Sequence, residues 1–572
     1  MALQVDRLSL ILPVVLVLAA VFLAAAVAGA ADRPNIVVVM TDDQGIGDIG
    51  LHANPAIRTP TLDAFAGNGL QFSRFYCSPV CAPTRASLMT GRYFYRTGVI
   101  HTSRGGAKMA GDETTIAETL RAAGYRTGIF GKWHLGDNYP MRPQDQGFDQ
   151  VVIHKSGGIG QTPDKPNPYM NPRLWKNGHA LEADGYCTDV FFDEAIDFIA
   201  STGGSTPFFA YIPTNAPHTP LDVPDDWVRP YLDAGLDETT ARAYAMVTNI
   251  DTNFARLLQT LDARGLRENT LVIFLTDNGA QQSRFNAGFR GRKSWTYEGG
   301  IRVPCFMQWP AVIRPGRTVD RIAAHIDLHA TVIELAKATS PRDRPLDGIS
   351  LAPLLRDVHQ SWPDRSLFFQ VHRGLKPQAY QNCAVVTQQY KLVGHPGTFK
   401  KEDLPVTDPP LLELYDLLTD PAESQDLSVS HPDVVARLRK EYDDWFTSVR
   451  SSREFTPGLI HVDTQMESPF RLCRYQDGIW KAGRSTGWNV EIVRSGRYRV
   501  AIRRERSEAG ELHVSWANVR QTSQLSAGKT SAEFDLPAGT GILDVWFQKA
   551  NDKRRYDGDN SVWGDIDITA AN

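Results

Sequence analysis

The chain has 572 residues, of which 42% are hydrophobic and 22% are charged, as expected for a folded protein of more than one domain. Its 61 basic and 65 acidic residues give a formal net charge of -4 without a basic run, which argues against nucleic acid as a partner. The six cysteines show neither zinc-finger spacing nor the density of a disulfide scaffold. The composition therefore favours an ordinary globular enzyme.

The N-terminal segment has the features of a secretion signal. Arg7 precedes a long apolar run that ends in small residues near Ala28 and Ala30, which predicts a signal peptide over residues 1–30. The protein is therefore expected to be exported, either to the periplasm or out of the cell. The run approaches the roughly 20 residues of a membrane span, so the alternative is an uncleaved anchor, and only then is a membrane a partner.

Oxygen-bearing side chains follow two apolar runs. The run NIVVVM from Asn35 predicts a strand buried on both faces, and Asp42 and Asp43 come directly after it. The run TLVIFL has the same pattern and precedes Asp277 and Asn278. Because no cysteine pair or helical histidine pair nearby suggests zinc, these oxygens predict a hard cation, Ca²⁺ or Mg²⁺, and several carboxylates on one ion favour calcium.

Two more predicted strands end in residues suited to acid–base or anion chemistry. The stretch YRTGIFGKWHLGD leaves Lys132 and His134 after a short strand, and PFFAYIPTNAPHTP leaves Asn215 and His218. Helical patterns alternate with the strands, which predicts a mostly parallel α/β sheet that binds ligands at the carboxyl ends of its strands. Each cluster alone is explained by turn or capping chemistry, whereas the four together predict a metal-assisted site.

One cysteine lies in a distinctive setting, the stretch FYCSPVCAPTRASLMTGRY. Cys81 comes two residues before Pro83, which suits the first turn of a helix. Cys81 is therefore expected just before a helix N-terminus, where the helix dipole stabilises negative charge. The alternative for this cysteine, as for the other five, is a small buried hydrophobic residue.

This stretch resembles the signature of the type I, formylglycine-dependent sulfatases, which are arylsulfatase-like members of the alkaline phosphatase superfamily. The residues that carry the resemblance are Cys81, Pro83, Thr84, Arg85, Leu88, Thr90 and Gly91. Further sulfatase-like blocks follow in family order: PNIVVVMTDDQGIGDIG, GKWHLG, APHTP, LTDNGA and GRKSWTYEGGIRVP. The resemblance covers roughly Pro34 to Phe446 and departs mildly at Thr84, where serine is commoner, and at Ala330, where proline is usual.

The resemblance implies that a maturation enzyme converts Cys81 to formylglycine. One hydroxyl of the hydrated aldehyde attacks sulfur, and the second expels sulfate as the aldehyde re-forms. The implied ligands of a Ca²⁺ ion, with Mg²⁺ as the alternative, are Asp42, Asp43, Asp277, Asn278 and the modified Cys81. The implied catalytic groups are Arg85 on the diol, Lys132 and Lys293 on the sulfate oxygens, His134 as base and His218 as acid for the leaving alcohol.

The predicted architecture has three folded parts after the signal peptide. An alkaline-phosphatase-like sheet sandwiched by helices spans residues 31–350, a small C-terminal α+β subdomain spans residues 351–453, and an all-β sandwich spans residues 454–572. Several tryptophans of the sandwich suit either its core or a sugar platform: Trp480, Trp488, Trp516, Trp546 and Trp563. We expect an exposed linker after Arg453 and a tail that takes no part in the chemistry.

The predicted function is hydrolysis of sulfate monoesters, with an aryl sulfate or a sulfated glycan as the substrate. Two alternatives stay open from the sequence. The first is a catalytically silent, carbohydrate-binding relative, and the second is a phosphatase or phosphodiesterase of the same superfamily, which would normally use Ser or Thr with His-rich zinc sites. Weaker candidates for the substrate pocket are His101, Arg104, His154 and Arg290.

Overall fold

The computed structural model describes residues 33–202, 206–372, 376–394, 406–481, 484–503, 508–549 and 565–571. The predicted signal peptide and Trp563 lie outside these residues. Within the described residues, no helix combines the length and the apolar character needed to cross a membrane.

A large sheet forms the centre of the N-terminal part. The strands of this part are β1 (Asn35–Thr41), β2 (Leu70–Phe72), β3 (Phe75–Tyr76), β4 (Arg126–Lys132), β5 (Gln150–His154), β6 (Arg173–Lys176), β7 (His179–Glu182), β8 (Phe208–Pro213), β9 (Thr270–Thr276), β10 (Arg302–Val303), β11 (Cys305–Gln308), β12 (Arg317–Val319) and β13 (Ala323–Ala324). The sheet has the order β12-β2-β11-β9-β1-β8-β4-β5-β6-β7. Its central strands, from β9 to β5, are parallel, and antiparallel pairs occur towards both edges.

Helices cover both faces of this sheet, as the sequence predicts. Alternate residues of β1 enter two different cores: Val38 packs in one, and Val37 in the other. A strand that is buried on both faces needs this continuous apolar sequence. The helices are Pro60–Gly67, Cys81–Thr90, Ile116–Ala122, Cys187–Ser201, Asp225–Asp233, Glu238–Ala263, Glu298–Ile301, Asp327–Leu335 and Ala352–Arg356.

A small antiparallel sheet and a long helix follow, which confirms the predicted α+β subdomain. The sheet has the order β14 (Leu367–Gln370), β15 (Cys383–Val386), β16 (Tyr390–Gly394) and β17 (Leu412–Asp416). The helix Pro432–Arg453 buries Leu438, Tyr442, Trp445 and Val449 at three- and four-residue intervals. These side chains join one of the two cores of the large sheet. The subdomain is therefore packed onto the N-terminal part.

The tail is a β-sandwich, as predicted. Its strands are β18 (Ile460–Val462), β19 (Phe470–Leu472), β20 (Trp480–Lys481), β21 (Arg484–Ser485), β22 (Trp488–Ile492), β23 (Gly496–Ile502), β24 (Gly510–Trp516), β25 (Val519–Leu525), β26 (Ser531–Leu536), β27 (Gly539–Lys549) and β28 (Ile566–Ala570). Two sheets, β18-β22-β27-β24-β25 and β19-β28-β23-β26, enclose a separate core that contains Trp488 and Trp516. Trp546 is also buried, whereas Trp480 is half-buried.

The expectation of an exposed linker after Arg453 is wrong. Phe455 is only 8% exposed, and its ring centroid lies 5.1 Å from that of Tyr95 in the N-terminal part. Gly458 N donates to Lys108 O at 3.0 Å, and Met141 of the N-terminal part packs into the core of the tail. The apolar residues on both sides of the junction are covered by this packing. The predicted domain boundaries themselves stay predictions.

Candidate active site

The carboxyl ends of neighbouring parallel strands bring the predicted polar clusters together. Strands β9, β1, β8 and β4 are adjacent in that order, and Thr41 at the end of β1 pairs with Thr276 at the end of β9. Parallel strands that end together place the residues that follow them at one edge of the sheet. The four predicted clusters therefore meet at this edge.

Asp42, Asp43, Asp277 and Asn278 form a fully buried group of oxygen ligands. Asp43 has a φ of 66°, a left-handed conformation that aspartate tolerates better than most residues. The backbone N of Asp43 donates to Asp277 Oδ1 at 3.1 Å, and Asn278 Nδ2 donates to Asp43 Oδ1 at 2.8 Å. This tight turn directs two successive carboxylates into the same small volume.

Cys81 is the first residue of the helix Cys81–Thr90 and is 4% exposed. One ligand atom from each of Asp42, Cys81 and Asp277 lies within 4.8 Å of the other two. Thr84 fixes the helix start on the ligand group, because its Oγ1 donates to Asp277 O at 2.7 Å. Burial raises the pKa of the Cys81 thiol, while Lys132 and Lys293 oppose that increase.

Three cations neutralise these carboxylates. Lys132 Nζ lies 2.5 Å from Asp42 Oδ2, and Arg85 Nη2 lies 2.8 Å from Asp277 Oδ2. Lys293 Nζ contacts both oxygens of Asp43, at 2.6 and 2.8 Å. Burial alone would raise the pKa of Asp42, but Lys132 and the other nearby cations hold it well below its usual range. Burial and the neighbouring Asp42 raise the pKa of Asp277 to about 7.

Two histidines lie on either side of this group, each with one nitrogen fixed by a backbone carbonyl. His134 Nε2 lies 2.8 Å from Thr102 O, and His134 Nδ1 lies 3.4 Å from Cys81 Sγ. A carbonyl only accepts hydrogen bonds, so Nε2 carries the proton, and Nδ1 of the neutral ring is a proton acceptor facing Cys81. Burial and Lys132 lower the pKa of His134 well below its usual value, which keeps the ring neutral.

His218 is held in the same way. Its Nδ1 lies 2.5 Å from Thr219 O, and its Nε2 lies 3.7 Å from Asp43 Oδ2. Burial and Lys293 lower the pKa of His218 below its ordinary value. Nε2 is therefore the nitrogen left for proton transfer on the ligand side of the ring.

The donor set fits a hard divalent cation. Asp42 Oδ1 and Asn278 Oδ1 are buried and accept no hydrogen bond from the described residues. Buried oxygens without a hydrogen-bond partner are destabilising unless another positive group satisfies them. Carboxylate and amide oxygens are the ligands that Ca²⁺ and Mg²⁺ prefer. The residues that would hold such an ion are Asp42, Asp43, Asp277 and Asn278, with residue 81 beside them.

A cavity of about 640 Å³ opens above the ligand group. Cys81, His134, His218 and Lys293 line it, whereas Arg85 and Lys132 lie beneath it against the carboxylates. The outer wall is formed by loop residues, among them Thr102, Ser103, Gln161, Lys165, Arg292, Trp295 and Tyr475. None of the lining residues within the described chain is acidic, so the cavity suits an anionic ligand.

The four weaker pocket candidates do not line this cavity. Arg290 donates to the Tyr415 hydroxyl at 2.8 Å, and Arg104 lies 5.4 Å from the ring centroid of Trp480. His154 is the buried last residue of β5, with Nδ1 2.9 Å from Lys155 O, and the ring centroid of His101 lies 6.2 Å from that of His372. These four side chains have structural partners elsewhere.

The residues of the outer wall are not predicted from the sequence. Thr102 acts through its backbone carbonyl, which no side-chain pattern can reveal. Trp295 lies two residues after Lys293 in the block GRKSWTYEGGIRVP, and this closeness in sequence is the one feature that could have indicated its position in the cavity wall. Tyr475 belongs to the tail, which was expected to take no part in the chemistry, and its place beside the cavity depends on tertiary packing.

The fold and the site define a hydrolase of the alkaline phosphatase superfamily. Residues 34–338 match the family model described as Sulfatase, and residues 289–447 match the model described as N-sulphoglucosamine sulphohydrolase, C-terminal. The chain therefore belongs to the sulfatase family and is a sulfatase, which confirms the resemblance drawn from the sequence.

Named relatives support this assignment. N-acetylgalactosamine-6-sulfatase of Homo sapiens is 32% identical over 369 residues, covering 60% of this chain and 69% of the relative. Arylsulfatase A of Homo sapiens is 32% identical over 464 residues, covering 71% and 86%. A solved structure of Ps i-CgsB in complex with k-i-k-neocarrahexaose is 26% identical, with a TM-score of 0.65, and covers 76% of this chain and 96% of that one.

Proposed function

We propose that this sulfatase hydrolyses sulfate monoesters of a saccharide, using formylglycine at position 81 and a bound divalent cation, most readily Ca²⁺. The observation that carries the proposal is the position of Cys81. Its side chain lies among Asp42, Asp277 and His134 at the floor of a cavity lined by cations. A nucleophile at this point has a proton acceptor on one side and a positively charged site for sulfate on the other.

The oxygen ligands would hold the cation, which supplies the positive charge that acidifies a hydroxyl of hydrated residue 81 and polarises the sulfate oxygens. The residues do the remaining work. Lys293 reaches into the cavity, where its ammonium group contacts sulfate oxygens. Arg85 Nη1 donates to Lys132 O at 2.9 Å, so the arginine holds the lysine backbone and Asp277 together beneath residue 81.

The two histidines have different tasks. His134 Nδ1 faces residue 81, so it receives the proton of the second hydroxyl when that hydroxyl expels sulfate. His218 acts as the acid in its imidazolium form: Nδ1–H stays on Thr219 O, Nε2–H is the proton passed to the leaving alcohol, and the nearby Asp43 carboxylate favours the charged ring.

The saccharide part of the proposal is supported by the cavity wall. Trp295 and Tyr475 present aromatic surface beside the cations Lys165 and Arg292. Aromatic rings stack on the apolar faces of sugars, and cations bind the further anionic groups of sulfated glycans. The similar Ps i-CgsB structure was solved in complex with k-i-k-neocarrahexaose, which agrees with a saccharide as the substrate.

Turnover tests the proposal. The protein is co-expressed with a formylglycine-generating enzyme, and hydrolysis of 4-nitrophenyl sulfate and 4-nitrophenyl phosphate is compared in the presence of Ca²⁺. We expect kcat/KM to be much higher for the sulfate ester. Higher kcat/KM for the phosphate ester would support the phosphatase alternative. No release of sulfate by converted enzyme, either from 4-nitrophenyl sulfate or from a sulfated saccharide, would contradict the proposed function. We also propose that the mature enzyme works after export, because residues 1–30 are predicted to be a signal peptide.

A further inference from the structure

The tail reaches the active-site loop through its backbone. Arg104 N donates to Tyr475 O at 3.0 Å, and Gly105 N donates to Gln476 O at 2.8 Å. Gly105 has a φ of 82°, and a Cβ added there would lie 3.1 Å from Gly478 O. Glycine therefore allows both the left-handed turn and the close approach of the tail.

Buried side chains fix the same contact. Lys108 is 2% exposed, and its Nζ donates to Asp477 O at 3.0 Å. Ser156 Oγ donates to Gln476 Oε1 at 3.2 Å. A buried ammonium group that loses its acceptor is strongly destabilising, so this part of the interface is maintained in the folded protein.

The sandwich holds the other side of this short segment. Arg474 N donates to Asp565 Oδ1 at 2.8 Å, and Trp488 Nε1 donates to Cys473 O at 3.2 Å. Trp488 is itself fully buried in the core of the tail. The helix Arg474–Asp477 is therefore clamped between the sandwich and the loop that contains Thr102.

This clamp places one residue of the tail in the cavity. Tyr475 lines the cavity together with Thr102, Ser103 and Gln161 of the N-terminal part, and within the described chain it is the tail's one lining residue. Its ring is half-buried and packs edge-on against Trp480, with centroids 6.1 Å apart. A fixed aromatic ring with one open side is suited to stacking against a sugar ring.

We infer that Tyr475 forms part of the binding subsite for the saccharide, so that the C-terminal sandwich is a component of the active site. The inference rests on the proposed function. The tail contributes specificity by direct contact in the cavity, a role that differs from tethering a distant stretch of polymer.

The test compares Tyr475→Ala, Tyr475→Phe and the control Val519→Ala, which alters a side chain of the tail that is 57% exposed. The readouts are kcat and KM for 4-nitrophenyl sulfate and for sulfated neocarrahexaose, together with calorimetric binding of the hexasaccharide. We expect Tyr475→Ala to lower the ratio of hexasaccharide to aryl kcat/KM about 10-fold, mainly through KM, the loss typical of one aromatic contact. Tyr475→Phe keeps the ring and should retain most of this ratio, and Val519→Ala should match the wild type.

Several outcomes would overturn the inference. Equal losses on both substrates would mean that Tyr475 only supports the fold, and wild-type protein that does not bind the hexasaccharide would remove the subsite. The failure of the proposed function would look different. If the converted enzyme cleaved no sulfate ester but the subsite were real, wild type would still bind the hexasaccharide more tightly than Tyr475→Ala. The same affinity in both proteins would contradict the inference whatever the activity.

Discussion

The inner and outer ends of the active-site cavity are built from different kinds of structure. At the inner end, ligands and cations lie at the carboxyl ends of parallel strands and are fully buried, as for Asp42, Asp277 and Lys132. At the outer end, the wall comes from loops and from the tail, where Lys165 is exposed and Tyr475 is half-buried. The sheet therefore fixes the geometry of sulfate chemistry, while the surrounding segments are free to determine which alcohol is accepted.

Replacing residue 81 should have the largest effect, because it removes the nucleophile from the inner end. Cys81→Ala should fold normally and lose turnover of every sulfate ester by about 1,000-fold or more. Cys81→Ser, which has a single hydroxyl, should accumulate a sulfated enzyme that mass spectrometry detects after substrate is added.

The matched control is Cys77→Ser. Cys77 Sγ donates to Thr276 O at 3.3 Å, and a hydroxyl can keep that hydrogen bond. This variant should retain activity. Normal turnover by Cys81→Ala would remove the basis for the proposed chemistry.

Removal of the cation should come next in size. Chelation should abolish turnover of aryl and saccharide substrates alike, and Ca²⁺ or Mg²⁺ should restore it better than Zn²⁺, because the donors are hard oxygens. Asp277→Asn should raise the Ca²⁺ concentration needed for half-maximal activity. The measurement is a titration of activity with free Ca²⁺. Glu113→Gln is the control, since Glu113 is a buried carboxylate that pairs with Arg92 away from the site.

A metal requirement that is unchanged in Asp277→Asn would show that the ion binds elsewhere. Rescue by zinc alone would favour the phosphatase-like alternative instead.

Disturbing the contact between the Thr102 loop and the tail should lower kcat moderately, because the effect extends to His134 at the inner end of the cavity. Gly105→Ala strains the turn that precedes Lys108 and follows Thr102, whose carbonyl orients His134. We expect kcat to fall roughly threefold to tenfold on both substrates, since small displacements of a catalytic group slow the reaction. Tyr475→Ala, in contrast, should lower kcat/KM for the hexasaccharide more than for the aryl sulfate.

Gly528→Ala supplies the control for backbone strain. Gly528 has a φ of 80°, and no atom lies within 4 Å of an added Cβ, so the strain is similar but remote from the loop. Steady-state kinetics that change equally in both glycine variants would contradict a specific role for the contact.

The pH dependence of stability should be the mildest effect, and it concerns the packing beneath the Cys81 helix. Burial lowers the pKa of His325 and of His329 to about 4. In the unfolded chain these histidines take up a proton near pH 6.5, whereas in the folded protein they stay neutral until about pH 4. The free energy of unfolding is therefore unaffected by them above pH 6.5 and decreases as the pH falls from 6.5 towards 4. The loss is at most about 3 kcal/mol for each histidine.

Thermal unfolding across this pH range checks the expectation. His329→Gln can still donate to the Met89 carbonyl, which His329 Nδ1 contacts at 2.8 Å, and should flatten the dependence of Tm on pH. The exposed His359→Gln should leave the slope unchanged. An equally steep slope in both variants would contradict this assignment.

The sequence predicts the inner end of the cavity far better than the outer end. Apolar runs that stop at Asp42 and Asp277 define parallel strands, and the rules of sheet topology then bring their ends together. The alternating runs WNVEIV, GRYRVAIRR, ELHVSW, GILDVWFQ and GDIDIT similarly predict β22, β23, β24, β27 and β28 of the sandwich, whereas β18 to β21, β25 and β26 were not predicted.

The outer end depends on information that local patterns do not contain. Tyr475 is an ordinary tyrosine in a short helix, and only the docking of the tail on Gly105 places it beside residues more than 300 positions earlier. The same packing explains why the predicted exposed linker is wrong, since Phe455 is needed to cover apolar surface near Tyr95. Long-range packing decides both features.

The central claim is that residue 81 of the mature protein carries an aldehyde. Its most direct test is the mass of the tryptic peptide Phe75–Arg85, isolated from protein that was co-expressed with a formylglycine-generating enzyme. We predict that Cys81 has been converted while Cys77 of the same peptide remains an alkylatable thiol. A peptide in which both cysteines are alkylated, from protein that nevertheless hydrolyses sulfate esters at full rate, would contradict the account.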